Sequence, residues 1–164
     1  NTEELMQLVN DVLDLSRLEA NMMKFQIQEY DAVALCNDAI YMARMRTEET
    51  IEIYFDTHIE TQPITTDTGR LIQALVSTLT YPQKNTTHRE ITFTLTRDDS
   101  GKQICFRISN SPLADPEFNS QEVSIRHDIN RLLLQHFGGS YNITADEQER
   151  PVINFTYPLD IISE

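Results

Sequence analysis

The sequence predicts an α+β fold: a two-layer α/β sandwich with a mixed, largely antiparallel sheet, helices on one face, and a long helix in front of it. Three observations predict it. Residues 3–22 repeat apolar side chains at alternating three- and four-residue steps, residues 90–109 hold two period-two runs joined by a turn sequence, and helical patterns separate these from the other strand-like runs.

In the first helix, Leu5, Leu8, Val12, Leu15 and Met22 form a heptad seam with Glu19 in its one polar slot. Val9, Leu13 and Leu18 widen the stripe, which favours a bundle between chains over packing on the helix's own domain. "KFQIQEYD" (24–31) alternates as a short strand, and Asp31 is placed to cap a helix over 32–47. The inner face of that helix is Val33, Cys36, Ala39 or Ile40, and Ala43. "IEIYFDT" (51–57) sets Ile51, Ile53 and Phe55 against Glu52, Tyr54 and Asp56, the pattern of a half-buried strand. "QPIT" reads as a brief edge strand, because Pro63 has no N–H for a ladder. Asp67 opens a helix with Leu71, Leu75 and Leu79 on one face and Pro82 as its stop.

"EITFTLTRD" and "KQICFRIS", joined at "DDSGK", predict a central hairpin with Ile91, Phe93, Leu95, Ile104, Phe106 and Ile108 in register. Residues 110–125 lack both pattern and glycine, which marks a functional loop or the relic of one. "DINRLLLQHF" is the last helix, ended by Gly138 and Gly139, and "SYNITA" with "VINFTYPL" closes the sheet as a hairpin.

Composition removes several function classes. Asp and Glu number 26 against 13 Lys and Arg, and a net charge of −13 repels nucleic acid and anionic membranes. Cys36 and Cys105 lie in apolar-patterned segments, which suits core thiols in a reducing, cytoplasmic compartment. No apolar run approaches a membrane span and the N-terminus lacks a signal-peptide pattern, so the chain is expected to be soluble, with any transmembrane part outside it. His58, His88, His127 and His136 have no metal-ligand spacing, and Met22, Met23, Met42 and Met45 read as gap-fillers.

The element order, together with "VLDLSRLEA", "DTGRLIQALVSTLT", "HFGGSYNI" and "FTYPL", resembles the sensor histidine kinases of two-component signalling over nearly the whole chain. Residues 1–23 resemble the end of the dimerisation hairpin's second helix. Residues 24–164 resemble the ATP-binding catalytic domain shared with gyrase and the MutL repair proteins. The family's phosphoacceptor His helix precedes this stretch, so no phosphorylatable His of that type is named. The resemblance implies Mg²⁺ and ATP as family cofactors, a homodimer through the N-terminal helix, and a response regulator or other signalling protein as partner.

Three nucleotide motifs follow from the resemblance, and each departs from the family pattern. On the helix after Asp67, the positions of Asn-x-x-x-Asn-Ala-x-x-Lys hold Ser77, Tyr81, Pro82 and Lys84. A phenol is a poor substitute for the amide oxygen that would hold Mg²⁺. The Asp-x-Gly-x-Gly loop holds Asn110, Pro112 and Ala114. The Asn amide oxygen can still accept from adenine, but proline fixes φ and removes a donor. The glycine-rich phosphate cradle at the next helix start falls on Ser124, Ile125, Arg126 and His127, with no glycine between Gly101 and Gly138. Asp115, Glu117 and Glu122 add repulsion, and Arg126 is the one helpful cation there. These departures imply a kinase scaffold with a degenerate nucleotide site, no catalytic residue, no metal ligand set and no bound cofactor. The alternative is an active ATP-dependent protein-histidine kinase with an unusual site.

Overall fold

The central hairpin forms where period-two alternation places it. In the computed structural model, which describes residues 2–47, 51–81 and 88–159, β4 (Arg89–Arg97) and β5 (Gln103–Ser109) pair antiparallel with Leu95 opposite Phe106. Ile91, Phe93, Leu95, Ile104, Phe106 and Ile108 are all fully buried, while Thr92, Thr96 and Arg107 are exposed on the other face. β7 (Pro151–Pro158) pairs antiparallel with β5, and β6 (Ser140–Ala145) with β7. β2 (Ile51–Thr57) lies parallel to β4, completing a mixed sheet in the order β2-β4-β5-β7-β6. A parallel pair needs a crossover, supplied here by β3 (Pro63–Thr66) and α3 (Thr68–Thr80). β3 and β1 (Gln28–Asp31) form a separate antiparallel ribbon.

Helices cover the apolar face. α2 (Ala32–Arg46) buries Leu35, Cys36, Ala39, Ile40 and Ala43, capped as expected by Asp31, whose carboxylate accepts from the Val33 and Ala34 N–H groups. α3 buries Leu71, Leu75 and Leu79, and the Asp67 carboxylate accepts the Arg70 N–H at 3.0 Å. α4 (Gln121–His136) adds Val123, Leu133 and Leu134 and ends at Gly138, whose φ of +81° favours glycine. At Gly139 a Cβ would stand 2.0 Å from the Thr156 carbonyl oxygen, so the strand approach there needs a residue without a side chain.

Several expectations are corrected. The strand expected over 24–31 begins at Gln28, because the Asp67 carboxylate takes the Gln26 N–H at 2.9 Å and Phe25 stacks on His136 instead. The first helix, α1 (Thr2–Glu19), stops before Met22. Its last turn closes by a Schellman motif, in which the Met22 N–H reaches the Arg17 carbonyl and Asn21 adopts φ +56°. The last helix starts at Gln121, inside the stretch expected as loop, because the Ser120 hydroxyl accepts the Val123 N–H at 3.2 Å. The remaining loop holds two short 3-10 turns, Pro112–Ala114 and Pro116–Phe118, each opening on a proline whose missing N–H costs nothing there.

α1 packs on α4 with its acids inward: Asp11 and Asp14 are buried, while Leu5, Met6, Val9, Val12 and Leu13 face out. The apolar stripe thus lies on the side away from the domain, with Leu8, Leu15 and Leu18 half-buried at its border. Among the described residues no helix is long and apolar enough to cross a membrane.

Candidate functional site

The helical repeat that buries Leu71, Leu75 and Leu79 turns the neighbouring face of α3, with Val76, Ser77 and Thr80, toward a cleft of about 780 Å³ that Tyr81 also lines. α1 supplies a second wall (Glu3, Glu4, Gln7), the end of α2 a third (Met42, Arg46), and residues 117–122 the last. That volume lies in the range that takes a small molecule. Its charge is another matter. Glu3, Glu4, Glu117 and Glu122 line it against Arg46 and Arg126.

Arg126 is only 3% exposed and its Nη1 donates to the Asp11 carboxylate at 3.1 Å, so its charge is already matched. From there a buried polar chain runs inward. Arg126 Nη2 donates to Asn130 Oδ1 at 3.4 Å, Asn130 Nδ2 donates to the Ser77 hydroxyl at 3.2 Å, and that hydroxyl donates to the Ala74 carbonyl. Gln7 adds a donor to Asp11 at 2.9 Å. Burial pushes the Asp11 carboxyl above its usual range despite Arg126 and Gln7, the mark of an ion pair taken out of water. Arg70 meets Asp14 at 3.1 Å in a second, more open pair. Burial first, and the nearby carboxylates of Asp11 and Glu122 after it, push Tyr81 up to about 12 and keep it a neutral phenol.

The loop after β5 is built into the domain. Asn110 takes φ +64°, a conformation asparagine tolerates, and its N–H donates to the Pro151 carbonyl. Its Nδ2 donates to the Glu90 carbonyl at 3.0 Å and its Oδ1 accepts from Arg89 at 3.1 Å, so both ends of the amide are engaged. Arg89 also pairs with Asp115. Burial works against the Asp115 charge, but the Glu117 N–H and Arg89 outweigh it and hold the carboxyl below its usual range. Ser111 donates to the Thr78 carbonyl of α3 at 2.6 Å, and Pro112 and Leu113 are buried beside it.

His127 ties this turn to the sheet. Its Nε2 meets the Leu113 carbonyl at 3.1 Å and its Nδ1 the Tyr141 hydroxyl at 2.6 Å. A carbonyl only accepts, so Nε2 carries the proton and Nδ1 accepts from the phenol. Burial lowers the His127 pKa. Above the ordinary histidine value the ring is neutral in both folded and unfolded chains. As pH falls through about 6.5 the unfolded chain takes up the proton first, and stability drops until the folded ring protonates too. His127→Gln is therefore expected to lose less stability than wild type between about pH 7.5 and 5.5. Denaturant midpoints at the two pH values check it; equal losses would refute the assignment.

Ser77, Tyr81 and Arg126 thus meet on one cleft. Asn110, Pro112 and Ala114 instead belong to the turn packed on α3, and Ser124 is exposed on α4 with its N–H already bonded to the Ser120 carbonyl. The phosphate cradle expected at Ser124 to His127 lies within α4, not at its first turn. Pro82 and Lys84 lie outside the described residues. Sequence reasoning missed Asp11, Asp14, Arg70 and Arg89; the two acids three residues apart inside an apolar repeat were the available signal.

No family model and no curated protein sequence matches the chain. Solved structures do. The chain superposes on the Acinetobacter baumannii histidine kinase AdeS with TM-score 0.74 and 14% identity, covering 98% of this chain and 81% of that one. Full-length ShkA in complex with AMPPNP matches at TM-score 0.74 and 22% identity, over 98% of this chain and 37% of that one. The catalytic domain of histidine kinase ThkA matches at TM-score 0.64 and 17% identity, over 82% and 99%. ThkA in complex with the response regulator protein TrrA matches at TM-score 0.69 and 16% identity, over 97% and 49%. At these identities the similarity is one of fold.

Proposed function

Because the chain carries the fold of the histidine kinase catalytic domains, we propose that it is a two-component signalling module whose nucleotide site is degenerate, acting through conformation and partner contact rather than phosphoryl transfer. The observation that carries this reading is the commitment of the loop after β5: the Asn110 amide is spent on Arg89 and Glu90, and Pro112 and Leu113 are buried beside α3. Mg²⁺ and ATP do not fit what remains. Tyr81 offers a neutral phenol where an amide oxygen would hold the metal, Ser124 has no free N–H for phosphate, and the cleft's carboxylates repel a polyanion.

Each lost contact costs about 1–3 kcal/mol, so the three together weaken micromolar binding by roughly two to six powers of ten. Calorimetry with Mg·ATP is expected to give no dissociation constant below about 100 μM. A tighter value would overturn this reading and favour the second, an active kinase with an unusual site, to which the cleft's volume and the AMPPNP complex of ShkA also point.

The partners follow from the same fold. The ThkA–TrrA complex supports a response regulator as the receiving protein, and the outward apolar face of α1 supports a homodimer through that helix. A net charge of −13 argues against nucleic acid. The setting that suits these partners is the cytoplasmic side of a sensor.

A further inference from the structure

Away from the cleft, one group of ligating side chains stands on the edge of the sheet. β2 and β4 run parallel with Glu52 directly opposite Glu90, and both side chains are exposed on the face opposite the core. Like charges directly opposite on neighbouring strands repel. Among the described residues Glu90 has an ion-pair partner in His88, whose Nε2 lies 3.8 Å from Glu90 Oε1. Glu52, His88 and Glu90 each bring one ligand atom to within 4.8 Å of the others. The Tyr54 hydroxyl donates to Glu52 Oε2 at 2.6 Å and so orients that carboxylate.

We propose that Glu52, His88 and Glu90 form a Zn²⁺ site that ties the edge strand β2 to β4. Zinc bonds of about 2.0–2.2 Å put tetrahedral ligands roughly 3.5 Å apart, so the three atoms must close by about 1 Å. His88 and Glu90 are 59% and 63% exposed, free to make that adjustment by rotamer change. The imidazole selects zinc over Mg²⁺ and Ca²⁺, which prefer oxygen alone. Two carboxylates supply the charge, and the fourth position stays open to water. Tyr54 plays the outer role that commonly fixes a metal-bound carboxylate. The cation removes the Glu52–Glu90 repulsion and, by binding only the paired strands, stabilises their register. Sequence spacing could not reveal the set, because Glu52 and Glu90 meet only through a parallel pairing.

Calorimetric titration of the whole chain with ZnCl₂ in a non-chelating buffer is expected to give one site per chain, with a dissociation constant on the order of 10 μM or tighter. His88→Ala and Glu90→Gln should each weaken it at least about tenfold. His58→Ala, beyond the far end of β2, should leave it unchanged, and millimolar Mg²⁺ should not compete. Zinc should also raise the melting temperature of wild type and not of His88→Ala, with circular dichroism showing that the metal-free variants are folded. The absence of a saturable site tighter than about 100 μM, an undiminished affinity in either ligand variant, or an equal loss in His58→Ala would overturn the proposal.

Discussion

Arg126→Ala is expected to destabilise the protein by about 3–5 kcal/mol, read as a fall in the denaturant midpoint, because it strands a buried carboxylate. Asp11 is 1% exposed, and among the described residues its side-chain donor beyond Arg126 is Gln7. Asn130 and Ser77 lose their place in the polar chain as well. The pair Asp11→Leu with Arg126→Met is expected to recover most of that loss, since removing both charges removes both desolvation penalties. This contrast separates a buried ion pair from general damage to α4. A single-variant loss below about 1 kcal/mol would mean that α1 leaves α4 in solution.

For the proposed homodimer, Leu5→Asp combined with Val12→Asp is expected to shift the assembly to monomer. These side chains are 60% and 44% exposed on the side of α1 that faces away from Asp11 and Asp14. Burying an apolar side chain contributes about 1.5–3 kcal/mol, and two-fold symmetry counts each substitution twice, so dimer dissociation should rise at least about a thousandfold. Sedimentation velocity across micromolar concentrations reads it directly. A wild-type monomer at high micromolar concentration would sink the dimer reading, whatever the variant does.

Much of the fold was legible because its signals are local. β4 and β5 bury every second residue, and α3 buries Leu71, Leu75 and Leu79 at helical spacing, so short windows carry the answer. Helical spacing also set Ser77 and Tyr81, four residues apart, beside one cleft. The orientation of α1 was not legible. Its heptad stripe was visible, but the inward face is selected by Arg126 and Arg70, 115 and 56 residues away from the acids they meet. The start of α4 was hidden for a related reason: Arg126 and Asn130 sit on its buried face, where hydropathy reads them as surface. The fate of the loop after β5 rested on Arg89, whose bonds to Asn110 and Asp115 no motif encodes.

The one parallel pairing in the sheet has a consequence in time. β4 and β5 meet across a tight turn, as do β6 and β7, whereas Ile51 must find Arg89 after an intervening strand and helix have formed. Closing that longer loop costs more chain entropy before any contact repays it than closing either hairpin, so the hairpins are expected to assemble first and β2 to dock on β4 afterwards. Pulse-labelling of backbone amides during refolding should then protect β5 before β2, and the reverse order would contradict this sequence of events. Until β2 arrives, the edge of β4 is open and Phe93 lacks the Phe55 ring that covers it in the native state. In the interval before β2 docks, that open edge exposes a newly made chain to pairing with a neighbour.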